Sequence, residues 1–408
     1  MRYSKRTVLL LLTMFFVLSV ILISLLRPSF QELEVDEGLR NETKAMLESN
    51  AGSEALYIGT ESGEVYRVSE GSVDLLYDFE NAVHKIKFFE NEMYLSVGSL
   101  EESSGAIRIT KNGSEKFKFK GYTHGISASE DVIYVTNHAP SHGHEVDANP
   151  STDEGTNSGS HSHSETGGGH THSGTGNQSH SHNSGEGQYH KSGGGKVIIF
   201  DAKTGEEVKR LSAGSPHKLE KADDSIFVMD ALGKIYEINR TNQSIGNGIE
   251  LGVFIGDLTW ENESVFVTYR KKVEQDLPDN IEAPRIKKGF VGIMNKNGTL
   301  EEEILLGKRT IPHDVEVANN KTFLVTDYLS GNLYFVENGS VSDVIDIGEK
   351  PVSLTVDGKL AYVSDHQEDV LYKVSIEERK VIDSQSFDDI HTVKSGPKTF
   401  KYGPGIEN

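Results

Sequence analysis

Val132-Ile133-Tyr134-Val135-Thr136-Asn137 is a run of β-branched and aromatic residues that ends on a turn former, the composition of a strand entering a tight connection. Close variants follow at Thr322-Phe323-Leu324-Val325-Thr326-Asp327 and Ala361-Tyr362-Val363-Ser364-Asp365. Around them, from Ala55 onward, the chain repeats short apolar runs divided by Gly, Asn and Asp, among them Glu64–Val68, Lys196–Phe200, Ser225–Met229, Val265–Thr268 and Asn332–Val336. No helical periodicity of useful length appears after residue 27. The runs recur as a unit of about 40 residues, the length of a four-stranded propeller blade. Units cover 82–120, 122–212, 216–251, 255–306, 311–347 and 351–387. Residues 55–79 hold only three strands, and Asp388-Asp389-Ile390-His391-Thr392-Val393-Lys394 reads as the missing first one. The expected fold is all-β: a seven-bladed β-propeller of four-stranded antiparallel blades, closed when a C-terminal strand completes the N-terminal blade. Closure of this kind protects sheet edges that a linear array leaves open.

The rest of the chain narrows the functional classes. Its 408 residues carry a net charge of −21 with His neutral, which argues against a nucleic-acid partner, since that needs a basic footprint. There are no cysteines, hence no disulfide framework and no thiolate ligand. At the N-terminus, Arg2, Lys5 and Arg6 precede an apolar run from Val8 to Leu26. That run is long enough to reach across a hydrocarbon core of roughly 30 Å, and its basic flank is expected to stay in the cytoplasm. No A-x-A-like cleavage site follows it. The expected organisation is a single-pass anchor in the cytoplasmic membrane over 1–27, a polar stalk over 28–53, and a propeller over 54–408 on the extracellular or periplasmic side. Nine N-x-S/T sequons, at Asn41, Asn112, Asn177, Asn239, Asn242, Asn262, Asn297, Asn320 and Asn338, fit export and glycosylation.

Within the propeller, residues 138–195 shift abruptly to Ser, Gly, Thr, Asn and His, a low-complexity insert to which no regular structure is assigned. It hangs between the second and third strands of its blade. A shorter insert, Lys271 to Lys288, occupies the matching place two blades on and reads as a solvated loop. The sixteen histidines are gathered rather than scattered. Ten lie in the long insert: His138, His142, His144, His161, His163, His170, His172, His180, His182 and His190. Five stand at the start of a blade's first strand: His84, His124, His217, His313 and His391. Spacings of 40 residues from His84 to His124, His217 to Asp257 and His313 to Ser353 align Asp257 and Ser353 with them. His366 follows the second strand of its blade. Strand alternation puts the entry to the first strand and the second-to-third loop on one face, so every histidine is expected at one mouth of the channel.

Imidazole is the commonest protein ligand for divalent transition metals. Three histidines and a carboxylate are an acceptable zinc set, with nitrogens at about 2.0–2.1 Å. The expected metal ligands are therefore His84, His124, His217, Asp257, His313 and His391, with Asp314 orienting a ring. The insert histidines and His366 would supply weaker, exchangeable sites that concentrate metal near the rim. Zinc is the first expectation, with copper or nickel as alternatives. Structural histidines of the WD type come with Gly-His and Trp-Asp pairs, which these blade starts lack.

The Val-Ile-Tyr-Val-Thr-Asn run at 132–137 resembles the YVTN-type propeller repeat of archaeal and bacterial surface proteins. The His-marked blade starts and the His-rich insert together resemble the zinc-chaperone propellers that accompany zinc ABC transporters. That resemblance implies a non-enzymatic zinc chaperone or scavenger that passes metal to the solute-binding protein of a transporter. The membrane anchor departs from the freely periplasmic members. Two other readings stand beside it. Ile311-Pro312-His313-Asp314 is similar to a ligand motif in the copper-cluster domain of nitrous-oxide reductase, which would imply a copper-dependent redox enzyme. A surface-layer or adhesion propeller would have no metal role. On the chaperone reading, titration of the purified chain with zinc shows one or two tight sites and several weak ones. Deleting residues 140–192 removes the weak sites and leaves the tight ones; loss of the tight sites in that variant would contradict it.

Overall fold

Alternating apolar and polar residues pair readily into half-buried ladders, and each apolar run of the sequence forms a strand. The computed structural model describes residues 55–69, 72–79, 81–98, 105–119, 121–137, 194–273, 286–319 and 321–397. The expected anchor, the stalk and the ten insert histidines lie outside the described residues.

In chain order the strands are β1 (Ala55–Thr60), β2 (Glu64–Ser69) and β3 (Ser72–Asp78), then β4 (Ala82–Phe89), β5 (Glu92–Gly98), β6 (Gly105–Thr110) and β7 (Gly113–Lys118). Next come β8 (Ile126–Ala128), β9 (Val132–Asn137), β10 (Lys196–Asp201) and β11 (Glu207–Ser212). After these, β12 (Pro216–Lys221), β13 (Ser225–Asp230), β14 (Lys234–Asn239), β15 (Ser244–Ile245) and β16 (Ile249–Glu250) form one blade, in which the outer strand is split in two. The remaining blades are β17 (Phe254–Glu261) to β20 (Leu300–Lys308) through β18 (Ser264–Val273) and β19 (Ile286–Asn295); β21 (Pro312–Asn319) to β24 (Ser340–Asp346) through β22 (Thr322–Asp327) and β23 (Asn332–Glu337); and β25 (Pro351–Asp357) to β28 (Lys380–Ser386) through β26 (Leu360–Asp365) and β27 (Val370–Ser375). The last strand, β29 (Ile390–Gly396), pairs with β1 to give the order β29-β1-β2-β3. The fold is an all-β, seven-bladed propeller of antiparallel blades, with the C-terminal strand completing the N-terminal blade as the sequence led us to expect.

Two compact units make up the chain. One holds the described residues up to Met93, Ile109–Ser114 and those from His313 onward; the other holds Tyr94–Arg108 and Glu115–Pro312. In the first unit, Leu56, Ile58, Val68 and Val73 pack with Leu360, Tyr362, Leu371, Phe387, Ile390 and Val393. In the second, Tyr134, Val197, Ile199 and Leu211 pack with Leu219, Ile226, Val228 and Ile238. Second strands are buried along their whole length in β1, β13, β22 and β26, which is why each carries an unbroken run of three or four apolar residues with its polar residues towards the ends. Outer strands such as β11 and β28 are mostly exposed and mostly polar.

First strands bulge at one repeated place. Pro216 faces Asp230 and Lys218 faces Met229, so His217 is an extra residue. His391 is likewise extra between Ile390, opposite Thr60, and Thr392, opposite Gly59. Val352 takes this place in β25, and Gly256–Asp257 span it in β17. A bulge bends its strand and re-aims a side chain. Facing it is a buried hydroxyl from the second strand. Thr136 Oγ1 accepts from the N–H of His124 (3.2 Å) and of Gly125 (2.8 Å) and lies 3.4 Å from the carbonyl oxygen of His217 in the next blade. Ser96 Oγ donates to the His124 carbonyl (3.1 Å) and Ser364 Oγ to that of His391 (3.2 Å).

This register corrects two expectations. The N–H groups of Gly125, Asp257 and Asp314 donate to Thr136, Thr268 and Thr326, which hold the same second-strand position. Asp257 therefore corresponds to Asp314, and Gly256 stands in the histidine position; in β25 that position is Val352, not Ser353. A 40-residue count cannot see one residue gained or lost in a turn. The second correction concerns the two ends of the Lys271 to Lys288 stretch, where the strands run on: Lys271 faces Lys288 and Lys272 faces Lys287 in the β18–β19 ladder, while residues 274–285 lie outside the described residues. Lys271 pairs with Glu303 and lies 4.8 Å from the centroid of the Phe290 ring.

Thr136 is fully buried. Thr136→Val keeps its shape but strands two backbone donors, and denaturant unfolding of this variant should show a loss of about 1–3 kcal/mol. Unchanged stability would mean that the hydroxyl is not the clamp.

Candidate metal centre

Three connections place the candidate ligands. Glu61 opens the turn after β1, where Thr60 Oγ1 accepts from the N–H groups of Gly63 (3.2 Å) and Glu64 (2.9 Å). Gly63 has φ +106°, and a Cβ there would lie 1.7 Å from the Phe79 carbonyl oxygen, so only glycine closes this turn. Glu61 N–H donates to the Asp389 carbonyl at 2.9 Å, tying the turn to the approach to β29. His366 opens the corresponding turn after β26. There Asp365 accepts from the N–H groups of Gln367 and Glu368 through one oxygen and from Lys350 through the other, an Asx-type turn that fixes the loop. His391 sits on the bulge of β29, its carbonyl held by Ser364.

These elements bring Glu61, His366 and His391 together within the first unit. One ligand atom from each lies within 4.8 Å of the others. Glu61 Oε1 is 3.3 Å from His391 Nδ1 and 3.5 Å from His366 Nε2. Ligands at about 2.0–2.1 Å from a tetrahedral ion are separated by about 3.3 Å; the two spacings from Glu61 are close to that edge, and the His366 and His391 rings, edge-on with centroids 5.8 Å apart, complete the group. The side chains are 17%, 16% and 24% exposed, enough cover to strengthen electrostatic attraction while one side stays open to water. His84 adjoins the group: its Nδ1 is 3.4 Å from His391 Nε2, and the two rings meet edge-on at 81° with centroids 5.1 Å apart. Nearby, burial pushes the Asp369 carboxyl up from its ordinary range, helped by Asp389, Asp388 and Glu61 and opposed by His366.

The other expected ligands fall into separate groups. His124 and His217 lie together in the second unit, ring centroids 4.2 Å apart, with Tyr122 against His124. Asp257 is in the same unit, where Lys218 Nζ lies 2.7 Å from its Oδ2, and its Oδ1 accepts from the Leu258 N–H. In the first unit, His313 Nδ1 donates to the Val352 carbonyl at 2.7 Å. A carbonyl only accepts, so the lone pair of that ring is on Nε2. Asp314 turns its carboxylate to the N–H groups of Val315 (2.8 Å) and Leu354 (2.9 Å), bracing the next blade.

Glu61 was missed in the sequence. Its signal is positional: it is the first residue past a second strand, as are His138, Ala231, Tyr328 and His366. Applying the blade repeat to that loop as well as to the first strand picks out Glu61 and His366 as a pair.

No family model matches the chain, and no curated protein sequence does. Among solved structures it is similar to the computationally designed Ika8 protein, with a TM-score of 0.52, 9% identity, and coverage of 86% of this chain and 92% of that one. The WD40 domain of Pan2 from Neurospora crassa gives a TM-score of 0.47 at 12% identity, over 77% of this chain and 83% of that one. Apo AztD from Citrobacter koseri gives 0.46 at 9% identity, over 86% of this chain and 100% of that one. At such identities the likeness extends to the fold alone.

Lys218 and Asp257 are 11% and 3% exposed. Lys218→Met leaves a buried carboxylate without its cation, and denaturant unfolding should show a loss of about 3–5 kcal/mol, largely recovered when Asp257→Leu is added. A loss below about 1 kcal/mol would mean the pair is solvated like an ordinary surface ion pair.

Proposed function

We propose that this protein is a membrane-tethered, extracytoplasmic metal-binding propeller that collects zinc and passes it to a partner, and that it is not an enzyme. The observation that carries the reading is the convergence of Glu61, His366 and His391 at zinc-like spacings. Zinc is the cargo here. One carboxylate and two imidazoles leave a coordination position for water or an incoming ligand, which suits a site that must release its ion. The His-rich insert, the His124–His217 pair and His313 would hold metal more weakly and feed the tighter group. Asp257, engaged by Lys218, is outside the ligand set we propose.

The apolar run after Arg6 and the sequons support an exported, anchored protein. An anchored carrier does not diffuse away with its ion, so its acceptor must come to it; the acceptor we propose is the solute-binding protein of a metal ABC transporter. Transfer would proceed by ligand exchange, the acceptor's side chains entering the open position before Glu61 or a histidine leaves. An acidic chain of net charge −21 also concentrates cations around itself.

The test is a competitive zinc titration of the full chain and two variants, Glu61→Gln and His366→Ala. Each should weaken the tight site by at least about tenfold while leaving the weak sites in place. Unchanged tight binding in both variants would overturn the reading.

A further inference from the structure

His391 presents a different nitrogen to each neighbour. Its Nδ1 faces the Glu61 carboxylate at 3.3 Å, and its Nε2 faces His84 Nδ1 at 3.4 Å. These nitrogens leave opposite sides of the ring, so an ion bound through Nδ1 cannot also be bound through Nε2. His84 is outside the group whose ligand atoms lie within 4.8 Å of one another, Glu61, His366 and His391. Yet its distance from His391 Nε2 is again close to the edge of a zinc tetrahedron, about 3.3 Å.

We propose that His391 is a shared ligand between two adjacent metal positions, and that the ion leaves the protein through the second one, formed by His391 Nε2 and His84 Nδ1. The proposal rests on the metal-carrier reading above and adds the exit to it. A neutral imidazole has one N–H and one lone pair. With the proton on Nε2, that N–H points at His84, and the Nδ1 lone pair completes the position made by Glu61 and His366. With the proton on Nδ1, that N–H lies beside the Glu61 carboxylate, 3.3 Å away, and the Nε2 lone pair faces His84. The ring keeps one proton in both states: it leaves Nε2 to water and returns to Nδ1 from water, and the ion keeps its charge. Only one position can use His391 at a time. The first position has three protein ligands and is the resting place. The second has two, so more of the ion's coordination sphere is open to an acceptor's side chains.

This arrangement separates affinity from exchange. The three-ligand position sets the equilibrium constant, while the two-ligand position sets how fast a competing ligand can take the ion. The experiment loads the full chain with one equivalent of zinc and measures both the affinity and the rate of removal by a chromophoric chelator, for the unaltered protein, His84→Ala, His84→Gln and Glu61→Gln. Circular dichroism confirms that each variant is folded, and His84→Gln serves if the smaller side chain disturbs the strand. Both His84 variants are expected to keep the affinity within about threefold and to slow removal by about fivefold or more. Loss of affinity as large as in Glu61→Gln would mean one four-residue site and would overturn the proposal. Unchanged affinity and unchanged removal would also overturn it, leaving the carrier reading intact so long as Glu61→Gln weakens binding. If Glu61→Gln and His366→Ala both leave binding unchanged, it is the carrier reading that has failed.

Discussion

A buried hydroxyl on the second strand of the blade sets the positions on which the rest of this structure depends. A hydroxyl sealed from water must find partners or cost a few kcal/mol. Thr136 finds them on the His124–Gly125 backbone that enters β8 of its own blade and at the histidine carbonyl of the next. Ser96 and Ser364 make the corresponding reach to His124 and His391. The same group thus satisfies an irregular backbone and fixes where a histidine leaves it. The bulge re-aims that side chain away from the ladder, and the loop after the second strand lies beside it. A ligand group can form where both places carry coordinating residues.

In the first unit they do. His391 occupies a bulge, and Glu61 and His366 occupy the loops that flank it, so three residues far apart in sequence become neighbours by repetition of one register. Elsewhere the same register carries other chemistry. Tyr328 fills the loop position beside His313, ring centroids 5.7 Å apart, and Ala231 fills the one after β13. Asp257 and Asp314, one residue past the bulge, serve the strand and its neighbours instead, binding backbone N–H groups and, for Asp257, Lys218. Blade repetition multiplies a position, and the residue placed there decides whether the position gathers coordinating side chains or braces the fold.

Most of the fold could be read from the sequence because strand period and blade length are long-range regularities that tolerate small errors. The seven blades and the pairing of the 388–394 segment with the N-terminal blade needed only alternation and a count near 40. The site was less legible. One extra residue at a bulge leaves no compositional mark, so Asp257 aligned with the histidines when Gly256 holds that place. Glu61 was hidden by abundance, one of 62 acidic residues in the chain, with nothing beside it to mark a ligand until its turn was set next to that of His366. The histidines were visible because they are scarce and recur at one place, but recurrence could not reveal that His391 would meet a carboxylate through one nitrogen and another imidazole through the other.

On the proposed reading a transition metal sits between Glu61, His366 and His391. Anomalous diffraction at the zinc edge, from crystals of the chain grown with one equivalent of zinc, tests it most directly. A single dominant peak is expected about 2.0–2.2 Å from a Glu61 oxygen, from Nε2 of His366 and from Nδ1 of His391. A dominant peak at the His124–His217 pair, or no ordered peak at Glu61, would contradict it.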